Sequence, residues 1–541
     1  MVDTEATGST YVPMDSWVYP ALARLQALGY LDSAFLGLRP WTRLGIAHML
    51  ELSSDRIESE ANDEEARSIY DAVLAEVKPD TGRDTSLAHP STELESVYSV
   101  FRGISGTPLR DSFHLGQTLV DDYGRPYQGG FNDYSGFSGR AEAGRFSLYF
   151  RGEFQHAPGA AGYSPALAML LSETVDDIPL ATNPVQDTLP EGPIAASENA
   201  RVVEANLSYH VLGHEVSFGK SDHWLGPDKG AAMLWSNNAE NIYDFEINRV
   251  EPLHIPLIST LLGPFRYDFF VGSLKGHTYP NDPWVHMEKL SFKPTRNLEL
   301  GFDRLTVWGG KGHAPITLHT FLHSFFSFQN VTGAVKQSRD DPGARFGTFD
   351  FSYRLPFLEK WVTLYSDSLV HDDVSPISAP RRAGVHPGIY LSRFPGLAHL
   401  DLRVEGANTD TVSSAQIQDG QFLYYESVQR QGPTNKGFLV GDWIGREDKG
   451  GQAWLTYHLS PQEEIHFMYR RVKAASAFIP GGTTQDDYEG FVQKRFLKDI
   501  EIRALVQYEG WKAPVYKPGT QSDTAVSFQV TWLPHDVHSG P

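Results

Sequence analysis

Hydrophobic residues follow two different periods along this chain, and the change falls near residue 90. In the first part they recur at helical spacing. Val12-Pro13-Met14-Asp15-Ser16-Trp17 reads as a helix entry with Asp15 or Ser16 as N-cap, then Trp17, Leu22, Leu25 and Leu28 on one stripe and Gly29 as the stop. Thr42 caps a second predicted helix over 43–50. A third, from Asp63 to Lys78, aligns Ile69, Val73 and Val77 and ends before Pro79. The expectation is a small helical domain over residues 1–90, with the polar stretch from Pro79 to Pro90 as its linker.

Over residues 91–541 the period is two. Phe146, Leu148, Phe150 and Phe154 alternate with Ser147, Tyr149, Arg151, Glu153 and Gln155. Val203, Ala205, Leu207, Tyr209 and Val211 alternate with Glu204, Asn206, Ser208 and His210; Leu400, Leu402 and Val404 with Asp401, Arg403 and Glu405; and Ile500, Ile502, Ala504, Val506 and Tyr508 with Glu501, Arg503, Gln507 and Glu509. A soluble β-sandwich also alternates, with its charged face outward. A membrane barrel inverts this, placing lipid outside and a hydrated lumen inside. The length of the alternating region, the aromatic ends of the apolar faces and the succession of short turns and long polar loops favour the barrel. Allowing about 24 residues per strand and loop over the roughly 430 residues after the linker gives a barrel of about 18 strands. In that arrangement Phe146, Leu148, Phe150, Val203, Leu207, Leu402, Ile502 and Val506 face lipid. Arg151, Glu153, Glu204, Arg403, Glu501 and Arg503 face inward.

Composition sharpens this picture. The chain of 541 residues carries no cysteine, which excludes disulfides, thiolate metal sites and cysteine nucleophiles. Its formal charge of −21 argues against nucleic acid, whose phosphates require a basic surface. No apolar run approaches the roughly 18 residues of a spanning helix. Met1-Val2-Asp3-Thr4-Glu5 has neither the basic nor the apolar region of a signal peptide, so an exported protein would be numbered here in processed form.

The stretch richest in candidate chemistry is Lys220-Ser221-Asp222-His223-Trp224-Leu225-Gly226-Pro227, followed by Leu234-Trp235-Ser236-Asn237-Asn238-Ala239. Aromatic faces beside amides, a carboxylate and an imidazole suit a sugar site, because ring CH groups stack and amides bridge hydroxyls. Asp222, His223, Trp224, Trp235, Asn237 and Asn238 are therefore the candidate glycan ligands. The equally weighted alternative is an interface tryptophan and an asparagine-capped structural loop. An acidic glycan would need basic side chains such as Lys220, Lys229, Arg381 and Arg382 to cluster locally.

The same motifs carry a resemblance. Trp-x-Gly-Pro from Trp224, then Leu-x-Ser-Asn-Asn-Ala from Leu234, resemble the outer-membrane capsule assembly Wzi family. Arg266-Tyr267-Asp268-Phe269-Phe270-Val271-Gly272 and Lys289 to Phe302 support the likeness, which extends in layout over nearly the whole chain. It implies an 18-stranded outer-membrane barrel of a Gram-negative envelope with a periplasmic helical domain. The implied function is lectin-like and non-catalytic, binding or organising surface capsular polysaccharide. The implied partners are that polysaccharide and outer-membrane lipid, with peptidoglycan or periplasmic proteins in reach of the N-terminal domain. Residues Trp17 to Leu50 also resemble a surface-layer homology repeat, through the Leu-Gly-Tyr turn and Pro40-Trp41-Thr42-Arg43. Leu44 and Gly45 stand where that family places an acidic residue, which favours a plain capped helical pair.

Two rival functions remain at this level. A substrate-specific porin requires an open lumen. A hydrolase requires Ser366 or Ser368, His371 and a carboxylate to converge; Asp222-His223 and Asp372-Asp373 are similar to the paired groups of barrel proteases, and the chain has no Gly-x-Ser-x-Gly elbow. No His-x-x-x-His helix or carboxylate cluster in the sequence points to a metal, and no cofactor is expected.

Overall fold

The alternating segments close into one antiparallel sheet of 18 strands in a computed structural model that describes residues 7–59, 63–81, 90–181, 184–328, 331–411 and 420–534. In chain order the strands are β1 Ser91–Gly106, β2 Gly130–Ala143, β3 Phe146–Ala157, β4 Ser197–Val211, β5 His214–Lys220 and β6 Asp244–Asn248. They continue as β7 Phe265–Ser273, β8 Trp284–Thr295, β9 Leu298–Trp308, β10 Ala344–Arg354, β11 Val362–His371 and β12 Gly384–Leu391. The last six are β13 Leu400–Asn408, β14 Asp448–Ser460, β15 Glu463–Ala474, β16 Thr483–Phe496, β17 Ile500–Ala513 and β18 Lys517–Trp532. Each strand pairs with the next, and β18 closes on β1 from Val97↔Trp532 to Gly106↔Asp523. Closure leaves no unpaired edge, which is the condition for a sheet to cross lipid.

The outer face is apolar. Phe146, Leu148, Leu207 and Val506 are exposed, and Phe150, Leu402 and Ile502 lie half-buried among their outward neighbours. Arg151, Glu153, Glu204 and Glu501 are buried inside, and Arg403 and Arg503 also turn to the lumen, toward Tyr390 and the Asp15 carbonyl. Val203 departs from the expected pattern and is buried. A β-bulge is the reason: Arg151 pairs with Glu204 but Gly152 pairs with Val202, so Val203 is the extra residue and the alternation resets there.

The first part of the chain forms α1 Val18–Ala27, α2 Arg43–Glu51, α3 Ser54–Ser59 and α4 Glu64–Thr81. Thr42 caps α2 through Oγ1, which accepts from the Gly45 amide at 3.0 Å. Neither Asp15 nor Ser16 is the N-cap of α1. Trp17 occupies that position without a side-chain cap, and Asp15 instead pairs with Arg151 of the barrel wall at 2.7 Å. The third predicted helix also runs on through Pro79 to Thr81, because the amide N–H that proline lacks removes one bond near an end where several carbonyls lack partners anyway. Most of the expected linker, and residues 1–6, lie outside the described residues.

These helices enter the barrel at the end where the strands are joined by short turns. Leu36 and Gly37 donate backbone N–H groups to Glu299 of β9, each at 2.9 Å, and Lys293 of β8 donates to the Ala34 carbonyl at 2.6 Å. Arg354 of β10 bonds Asp32 and the Gln26 carbonyl. From the opposite end, the loops after β1, β5 and β13 fold inward. Phe113, Leu225, Met233, Leu234, Trp235, Leu423, Tyr424 and Leu439 pack there on Phe270, Val285, Leu305, Phe346 and Leu369 of the wall. The lumen at that end is thus filled by a hydrophobic core.

Candidate functional site

Between the helical segment and the inward loops lies a cavity of about 880 Å³. Its roof is the segment from Met14 to Trp17 with α1 as far as Arg24 and the start of α4, its wall is Tyr390, Asp401, Arg403, His458, His466, Phe491 and Arg503, and its floor includes Tyr123, Trp224, Lys229 and Asn237. It reaches the surface beside Ala398 and His399, in a short turn, and beside Glu64 and Ser68 of α4.

The walls alternate aromatic faces with fixed polar groups. Phe491 stacks on His466 with ring centroids 4.6 Å apart, and His466 is held between Glu464 at 3.1 Å and Glu489 at 3.2 Å. Arg24 bonds Glu65, Asp401 and the carbonyls of Ser392 and Ala398, so its charge is spent on tying α1 to the wall. Two cations are not spent in this way. Arg403 stacks on Tyr390 at 4.2 Å and on Tyr365 at 5.5 Å, and Lys229 sits over the Trp454 ring at 5.2 Å. Among the described residues neither side chain forms an ion pair within 4.0 Å. Trp454 is the direct cross-strand partner of Arg403, so the two cations share one patch of wall. Near the roof, burial opposes ionisation of Asp15, but Arg151 and Arg503 hold its carboxyl below the usual range.

The six candidate ligands separate into two sets. Trp224 and Asn237 line the cavity floor. One face of Trp224 is covered by Arg39 at 5.2 Å, and the Asn237 amide oxygen accepts no hydrogen bond from the protein. The other four are buried in the packing of the loops. Asn238 exchanges two hydrogen bonds with Gln117, donates to the Leu439 carbonyl and accepts from the Asp121 amide. Asp222 accepts from the Met14 amide, Tyr123 and Asn241. His223 bonds Asp244 at 3.0 Å and stacks on Phe270 at 4.1 Å, while Trp235 meets Phe270 edge-on at 4.9 Å.

The proposed basic cluster does not assemble: Lys220 pairs with Glu240 at 2.6 Å, Arg382 pairs with Asp373 at 3.0 Å, and only Lys229 reaches the cavity. Nor do the hydrolase candidates converge. Ser366 and Ser368 donate to the carbonyls of Asp367 and Phe349, and His371 turns its Nδ1 to the Phe422 carbonyl. Arg403, Tyr390 and Phe491, which line the cavity, were not among the candidate ligands read from the sequence. Alternation places them inside the barrel, but nothing local distinguishes them from other inward residues.

The solved structure of Wzi from Escherichia coli, an outer membrane protein involved in group 1 capsule assembly and described as a carbohydrate-binding β-barrel, superposes with a TM-score of 0.68 at 14% identity, covering 98% of this chain and all of that one. The outer membrane protein OprD of Pseudomonas aeruginosa gives a TM-score of 0.41 at 8% identity, over 83% of this chain and 96% of that one. An uncharacterized 55.8 kDa protein from the cps region of Klebsiella pneumoniae is 26% identical over 162 residues. That match spans 30% of this chain and 31% of the relative. The profile of the capsule assembly protein Wzi matches residues 101–526, most of the barrel, and the chain belongs to the Wzi capsule assembly family.

Proposed function

We propose that this protein binds capsular polysaccharide without chemistry, and that a segment of the glycan enters the cavity beneath the helical segment. The observation that carries the reading is the pairing of two unspent cations, Arg403 and Lys229, with the aromatic faces of Tyr390 and Phe491 in a cavity of about 880 Å³. That volume falls in the upper part of the roughly 300–1,000 Å³ range of ligand pockets. Aromatic faces take the apolar side of a pyranose, and the guanidinium and ammonium take a sugar carboxylate or hydroxyl. The preferred ligand is therefore an oligosaccharide that presents a hydroxyl or carboxylate to these two cations. Trp224 and Asn237 are contacts from the floor, while Asp222, His223, Trp235 and Asn238 hold that floor in place.

In this reading the helical segment and the cavity mouth face the periplasm, since short turns mark that side of outer-membrane barrels. The exposed flank of α4 is then the surface within reach of peptidoglycan or periplasmic proteins. A filled lumen fits a polysaccharide holder better than a diffusion channel. The test is calorimetric titration of the detergent-purified protein with capsular oligosaccharide. Arg403→Gln and Lys229→Gln should each weaken binding about 10-fold or more, the size of a lost charge-assisted hydrogen bond. Unchanged affinity in both folded variants would move the site elsewhere.

A further inference from the structure

Deep in the lumen, Asp228 of the loop after β5, His386 of β12 and Glu405 of β13 each bring one ligand-type atom to within 4.8 Å of the others. All three side chains are buried, and Asp228 and His386 are wholly inaccessible. The Asp228 carboxylate accepts no hydrogen bond at either oxygen. A fully buried carboxylate without any partner costs several kcal/mol unless a proton or a cation satisfies it. The imidazole points the same way. His386 Nδ1 is engaged by Asp442 at 2.5 Å, which directs Nε2 toward Glu405 Oε2 at 3.3 Å, without hydrogen-bond geometry. Glu405 is itself fixed, accepting from the backbone N–H groups of Lys229 and Gly230 and from Tyr365.

We propose that Asp228, His386 and Glu405 form a binding site for a divalent first-row transition ion such as zinc. A carboxylate bonded to the far nitrogen of a ligating histidine is the usual support of such sites, and Asp442 occupies that place. The separation of 3.3 Å between Nε2 and the Glu405 oxygen suits two ligands at about 2.0–2.1 Å from one tetrahedral centre. The donor set, one imidazole with carboxylate oxygens, matches zinc or manganese better than calcium or copper(I). Three acids facing one histidine also leave a negative excess that a dication largely offsets.

The ligands come from two wall strands and one inward loop, and the supporting Asp442 from another, so the ion fastens both loops to the barrel. Sequence spacing hides the set, because the three residues stand at 228, 386 and 405. A second trio, His223, Glu246 and Asp268, has a similar composition. It is the weaker candidate, since Glu246 is engaged by Ser217 at 2.8 Å and lies 4.0 Å from the imidazole.

The test is to strip the purified full-length protein with a chelator, reload it with Zn²⁺, remove excess and count bound metal by mass spectrometry. Wild type is expected to hold one equivalent that Asp228→Asn lacks, with both proteins showing the same heat-modifiable barrel migration. X-ray absorption on wild-type zinc needs no variant and should show one imidazole with oxygen donors at about 2.0–2.1 Å. Wild type that retains no zinc, a spectrum without imidazole, or a folded Asp228→Asn that holds as much metal as wild type overturns the assignment. The first of these outcomes makes Asp228 a protonated carboxyl.

Discussion

Arg446 shows how single residues hold the inward loops. Its guanidinium is fully buried, pairs with Asp176 at 2.8 Å, and stacks on Phe113 at 4.2 Å and Tyr425 at 4.9 Å. Asp176 also accepts from His114, whose other nitrogen meets Asp111 at 3.0 Å. Removing one member leaves a buried charge unpaired, so Arg446→Ala should destabilise the loop plug by about 3–5 kcal/mol while leaving the barrel intact. Protease nicking of the loops alongside unchanged barrel migration on a gel checks this. The same network has a pH signature. Burial disfavours charge on His114, but Asp111 and Asp176 outweigh it and raise the imidazole to about 9. A histidine raised in the folded state contributes fully below its unfolded value of about 6.5, and the contribution fades as pH rises through about 9. Loop protection from protease should therefore fall between pH 7 and pH 10 in wild type. In a folded His114→Gln variant it should stay flat over that range.

At the scale of strands and helices, polarity period and position in the bilayer decide most outcomes. Leu148 stands 43% exposed on the outer face of β3. Leu148→Arg, close to the short turn before β3, should cost only about 0–1 kcal/mol, whereas Val506→Arg, midway along the outer face of β17, should cost about 2–4 kcal/mol, read as a lower urea midpoint in refolding into vesicles. The same periodicity explains what was legible beforehand. Barrel closure and the inward course of Arg151, Glu153 and Glu501 follow from alternation, because lipid punishes any charge placed outside, and the strand number follows from the length of the alternating region. Val203 was misread because a bulge is a pairing event between strands, and a single strand's pattern does not reveal it. Asp15 was misread because a capping residue and a partner for Arg151, 136 residues away, look alike in sequence. The candidate site was half legible. Trp224 and Asn237 reach the cavity, but an aromatic–amide motif serves equally as a loop core, and Trp235 and Asn238 took that role. Trp235→Ala should open a void costing about 3–5 kcal/mol and free the loop after β5 to proteolysis.

For the whole molecule the decisive feature is that the barrel is closed from both ends, by helices at the short turns and by packed loops at the other. The cavity survives between the two fillings. This arrangement predicts little or no ion conductance when the protein is reconstituted in planar bilayers, in contrast to a barrel of 18 strands with an open lumen. Shortening the loop after β13 between Gly420 and Glu447 should raise conductance, because that loop supplies Phe422, Leu423, Tyr424 and Leu439 to the hydrophobic core. The central claim, that the cavity beneath the helical segment receives the glycan, is tested most directly by an experimental structure of the protein with a bound capsular oligosaccharide. The account predicts sugar density against Tyr390 and Phe491, with an acidic or hydroxyl group at Arg403 and Lys229. Oligosaccharide bound only on the loops at the opposite end, with the cavity free of sugar, would contradict it.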